Sequence, residues 1–116
     1  MEEYQSSPNN PLIRELHCLF NQRVAARKFE RAEIAMRQWL AIPGQLEEAY
    51  LYTPAYFYEG WGDAETDSPA IAAICYQQAI HHFYQTRMLA TGSGDGAVIM
   101  YHVKRVQKKL KQLQVT

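Results

Sequence analysis

The sequence predicts an all-α protein of five or six short helices arranged as antiparallel hairpins, and three observations carry that prediction. Helix-start signals recur at Asn10-Pro11, Thr53-Pro54 and Asp67-Ser68-Pro69. In each, a side chain able to cap a free backbone N–H precedes a proline, which loses nothing at the first helical position by lacking one. Apolar residues return at spacings of three and four along most of the chain, the period of a helix with one buried face. No stretch shows the alternation and paired turn residues that a sheet requires.

At 116 residues the chain suits one domain. The reading is a flexible N-terminal tail over 1–10, polar and without the apolar stretch of a targeting peptide, followed by a single helical domain over 11–116. The first helix starts at Pro11, with Leu12, Ile13, Leu16, Leu19, Phe20 and Val24 on one face. Neither Gly nor Pro occurs from Ala26 to Lys28, yet the apolar phase restarts with Phe29, Ala32, Met36, Trp39 and Leu40 and runs to Pro43-Gly44. A tight turn or one long bent helix fits. Gln45–Tyr52 reads as a short helical piece, and Pro54 starts another that carries Gly60 and Gly62, each costing about 1 kcal/mol against Ala in a helix interior.

The clearest helix starts at Pro69 and carries Ile71, Ile74, Cys75, Ala79, Phe83 and Leu89 as far as the Gly92–Gly96 loop. Beyond the loop, where Asp95 is placed to cap, Ile99, Val103, Val106, Leu110 and Leu113 are spaced four, three, four, three. That is the seam of a helix lying along a neighbour. Residues 97–103 alone would also suit a strand, but the seam continues through Leu113.

An internal repeat follows. Leu16 precedes Ala32, and Tyr56 precedes Ala72, by 16 residues in both cases. Tyr56 and Gly60 followed by Ala72, Tyr76 and Ala79 resemble the tetratricopeptide repeat, a helix pair in which small residues allow close approach and an aromatic ring fills the gap beside them. The match runs over roughly Leu12–Arg87, with Phe20, Arg23 and Asp63 departing from the pattern and with 40 residues between units. The resemblance implies a short array capped by the Ile99–Leu113 helix. It also implies a peptide-binding inner face on which His17 and Asn21 match the first unit's clamp positions, while Tyr58 stands where the clamp has a second Asn.

Composition excludes more than it identifies. At 47% apolar and 21% charged the chain is too apolar for disorder and too interrupted for a membrane span. Its net charge of zero is a sum of opposites. Gly44–Ser68 carries Glu47, Glu48, Glu59, Asp63, Glu65 and Asp67 without a base, and the last 20 residues carry Lys104, Arg105, Lys108, Lys109 and Lys111 without an acid.

Six aromatics, Tyr50, Tyr52, Tyr56, Phe57, Tyr58 and Trp61, share the acidic stretch. Either they fill the space between helices or they line a groove, where rings bury area at little entropic cost and acids steer a partner. The groove reading places a protein or peptide partner on His17, Asn21, Tyr52, Tyr56, Tyr58 and Trp61, with Glu59 and Asp63. The five bases of the tail form either the solvated side of the last helix or a contact for phosphate or an acidic surface. Arg23, Arg27, Lys28, Arg31 and Arg37 make a looser second basic group.

His17, Cys18, Cys75 and His82 are metal-ligand types without metal-ligand spacing, and the cysteines read as reduced, core-packing residues. The Gly92–Gly96 run lacks the strand and the lysine of a phosphate loop, and no ordered set of Ser, His, Asp or Cys marks a nucleophile. The expectation is therefore a small cytoplasmic adaptor without catalysis, cofactor, metal or membrane anchor. The alternative is a nucleic-acid-associated protein using the basic tail. A homo-oligomer, acidic middle against basic tail, is a third reading.

Overall fold

The chain reverses direction at Arg27 without glycine or proline. Arg27 takes a left-handed φ of 60°, its N–H bonds to the Val24 carbonyl at 2.9 Å, and the Lys28 N–H bonds to the Arg23 carbonyl at 2.8 Å. This pair of bonds is a Schellman closure, which satisfies carbonyls that a helix end leaves free. A non-glycine residue there costs roughly 1–2 kcal/mol. The turn is therefore tight, and it separates α1 (Pro11–Ala25) from α2 (Phe29–Leu40).

The computed structural model describes residues 11–43, 47–89 and 93–115, and the expected tail over 1–10 and the Asn10 cap lie outside them. The described residues form five helices and no strand: α1, α2, α3 (Glu47–Ala64), α4 (Pro69–Leu89) and α5 (Ser93–Val115). The all-α prediction holds. The chain divides into two compact units, Met1–Tyr50 and Leu51–Thr116. None of the described helices is long and apolar enough to cross a membrane.

In the first unit α1 packs along α2. Ile13 and Phe20 of α1 are buried, as are Ala32, Ala35, Met36 and Trp39 of α2. The spacing of the α2 residues places them on one stripe. Trp39 fills much of the hairpin, with its ring 5.9 Å from that of Phe20 and stacked at 4.6 Å on His17. The Arg23 guanidinium donates to the Arg31 carbonyl at 2.8 Å, tying the end of α1 to α2.

Two expected boundaries move. Thr53-Pro54 does not open a new helix, because α3 runs unbroken from Glu47 with Pro54 inside it. The proline forfeits one helical bond, but Pro54, Ala55, Phe57 and Tyr58 are all buried, and packing over successive turns holds the helix across the gap. Likewise α5 begins at Ser93, inside the glycine run, so the backbone at Asp95 is already helical rather than the expected cap.

The second unit packs α4 along α5. The start at Pro69 is as predicted, with the Ser68 carbonyl accepting the Ala72 N–H at 3.0 Å. Ala72, Ala79, Phe83, Ile99, Val103 and Val106 are fully buried, so three residues of the predicted α5 seam lie in the core. Residues 30–42, covering most of α2 and the two residues after it, and residues 70–82 of α4 show the same order of buried, half-buried and exposed positions, which gives the 40-residue sequence offset a structural counterpart. The small residue of close approach is not Gly60, where a Cβ would meet nothing within 4 Å. It is Gly62, where a Cβ would lie 2.6 Å from the Tyr76 ring.

Candidate functional site

Glu59 anchors a connected set of polar side chains along α3 and α5. It is one turn before Asp63 on α3, as Arg105 is one turn before Lys109 on α5, and side chains four apart share a helix face. Arg105 grips Glu59 through both carboxylate oxygens, Nε to Oε2 at 2.8 Å and Nη2 to Oε1 at 2.6 Å. Lys109 donates to Glu59 at 2.8 Å and to both Asp63 oxygens at 3.0 Å. The Tyr76 hydroxyl of α4 donates to Asp63 at 2.7 Å.

At the other end, His102 Nδ1 lies 2.6 Å from Arg105 Nη1. A guanidinium can only donate, so Nδ1 accepts and the imidazole proton sits on Nε2, which donates to the Tyr56 hydroxyl at 3.1 Å. The rungs Tyr56–His102, Glu59–Arg105 and Asp63–Lys109 all join residues 46 apart. A constant offset means that α3 and α5 run parallel, with their facing side chains in step.

The charges follow this geometry. Burial works to raise the pKa of Glu59, but hydrogen bonds from Arg105 and Lys109 outweigh it and hold the carboxyl below the ordinary range. Burial works to lower Lys109, and its bonds to Glu59 and Asp63 raise it above the usual lysine value. The Glu59 bond likewise raises Arg105. Burial, aided by the Arg105 charge, lowers His102, and burial together with the bond to Asp63 pushes the Tyr76 hydroxyl up. Glu59, Arg105 and Lys109 therefore hold one another ionised, with a neutral histidine beside them.

This arrangement corrects two sequence readings. Glu59 and Tyr58 are only 6% exposed, so neither offers a face to a partner. Arg105 and Lys109 do not belong to a solvated basic side, because both turn to the carboxylates of α3. The complementarity that suggested pairing between two copies is met within one chain. Lys104, Lys108 and Lys111 remain exposed.

Of the other expected partner-binding residues, Tyr56 is exposed, Tyr52 is half-buried, and their rings stack at 6.3 Å. Trp61 is half-buried and donates to Glu65 at 3.4 Å, while Asp63 is exposed. His17 and Asn21 are exposed on α1 in the first unit. Cys18 is exposed and Cys75 buried, both as free thiols. Among the described residues no group of three or more His, Cys, Asp or Glu is placed to hold a metal ion.

Sequence reasoning missed His102 and Tyr101, and read Tyr76 only as an aromatic of the repeat, not as a partner of Asp63. A signal existed for the first, because 56, 59 and 63 repeat the spacing of 102, 105 and 109 with matching chemistry on every rung. No protein-family model matches the chain, and neither does any curated protein or solved structure.

Proposed function

We propose that the chain is a small helical module that binds a protein or peptide partner and performs no chemistry of its own. The observation that carries this reading is a matched pair of exposed aliphatics. Ile34 and Ile74 occupy equivalent places in the shared burial order of α2 and α4 and are 54% and 59% exposed. Ile71, 44% exposed, extends the α4 face by a turn. Single exposed apolar residues are ordinary, but the same residue facing outward at the same place in each unit's helix marks each of the two faces, taken by itself, as suited to an apolar partner. Glu59, Asp63, Arg105 and Lys109, by contrast, are engaged with one another, which favours a positioning role for them over contact with a partner.

The helix-pair organisation supports a distant tetratricopeptide-like reading, since Ala72, Tyr76 and Ala79 are all buried as such a pair requires. Affinity capture from the native cell, comparing the wild-type chain with the Ile71→Ser/Ile74→Ser variant, tests the function. Partners retained by the first and lost by the second are the expected result. Identical partner sets with both baits would refute it.

A further inference from the structure

Helix α5 spends its bases unequally. Arg105 and Lys109 are committed to α3, whereas Lys104, Lys108 and Lys111 are exposed and make no ion pair with a described residue. Tyr101 continues the same row, at spacings of three, four and three, so one ring and three ammonium groups lie along about 15 Å of one helix face. Tyr101 is 66% exposed. Its ring is buttressed edge-on by His102, with centroids 5.6 Å apart, and by the Arg105 guanidinium 5.8 Å from its centroid. Because Glu59 and Tyr56 hold Arg105 and His102 in turn, the ring has a fixed backing and an open remainder.

We infer that this row is a binding face for single-stranded nucleic acid, with Tyr101 stacking on a base and Lys104, Lys108 and Lys111 contacting successive phosphates. A row of ammonium groups alone would suit any polyanion. A braced, solvent-facing ring at the head of the row adds what a base can use and an acidic peptide cannot, because base stacking on an aromatic accepts every base and contributes to affinity independently of charge. A duplex keeps its bases stacked inside, so the ring favours a single strand. The face is separate from the isoleucine surface of α4, and either reading can fail without the other.

Fluorescence anisotropy of the full chain with a fluorescein-labelled oligouridylate tests the inference. Three phosphate contacts predict a loss of roughly 20-fold in affinity between about 50 and 200 mM salt. Tyr101→Ala should weaken binding on the order of tenfold with the salt dependence unchanged, and Tyr101→Phe should retain it. The triple variant Lys104→Gln/Lys108→Gln/Lys111→Gln should lose the salt dependence together with most of the binding. These positions are exposed, and matching urea midpoints will establish that all variants fold. No anisotropy change at the lower salt overturns the inference. So does equal affinity for labelled polyglutamate or for an RNA duplex, and so does a Tyr101→Ala chain that binds like the wild type.

Discussion

Residues 30–40 of α2 and 70–80 of α4 present the same order of buried and exposed positions, yet they are packed by different means. In the first unit the large residue is on the repeated helix itself, Trp39, lying against Phe20 and His17 of α1. In the second, the equivalent position holds Ala79, α5 lies along α4, and Phe83, Ile99, Val103 and Val106 supply the volume. The helical period with small residues at 32 and 72 sets which positions face inward. What fills the space depends on whether the unit has a third helix to contribute.

Truncation at the equivalent positions should expose that difference most sharply. Trp39→Ala removes the side chain on which the first hairpin closes, and a buried Trp→Ala change costs about 3–5 kcal/mol. Ala79→Gly at the matching place in α4 should cost only about 1 kcal/mol, the helix-propensity difference. Urea unfolding of the two variants measures both. Equal losses would mean that Ala79, rather than the residues of α5, closes the second unit.

The polar chain along α3 and α5 belongs to the second unit alone and gives the next largest effect. Glu59→Ala leaves Arg105 and Lys109 facing an uncompensated site, and breaking a buried pair from one side costs about 3 kcal/mol. Glu59→Gln keeps the shape and should cost less at neutral pH. Because the Glu59 carboxyl is held below its ordinary range, its contribution is fully present above the unfolded glutamate value of about 4.3 and is lost as pH falls through the lower folded value. Wild-type denaturation midpoints should therefore drop on acidification below that point, and those of Glu59→Gln should drop less. Parallel acid limbs would show that the pair does not control stability.

Much of this was legible in the sequence. The proline starts at 11 and 69, the reversal near Ala26–Lys28 and the seam from Ile99 all rest on short-range geometry that apolar spacing reports directly. Pro54 misled because its local signal is strong while burial of Pro54, Ala55, Phe57 and Tyr58, a property of the packed unit, overrides it. The acidic middle and basic tail were visible as opposite charges, but their pairing in one chain depends on α3 and α5 running parallel, which neither segment encodes alone. Arg27 gave no warning either, since its left-handed turn is held by backbone bonds to Arg23 and Val24 rather than by a residue suited to it.

The smallest effect separates two glycines of one helix. Gly60→Ala gains about 1 kcal/mol of helix propensity and meets no neighbour within 4 Å, so it should raise the thermal midpoint. Gly62→Ala gains the same propensity, but its Cβ would stand 2.6 Å from Tyr76 Cε1. The ring is held in place by the 2.7 Å bond from its hydroxyl to Asp63, so making room costs about 1–3 kcal/mol, and the variant should melt below the wild type. The opposition of sign is also a test of how the units differ. The first sets two bulky rings, Phe20 and Trp39, against each other, whereas the second sets the Tyr76 ring against Gly62, so of these two contacts only the second relies on a missing side chain. If Gly62→Ala instead stabilised the chain as much as Gly60→Ala, Tyr76 would be free to swing aside, and the close approach of α3 to α4 would not depend on a missing side chain.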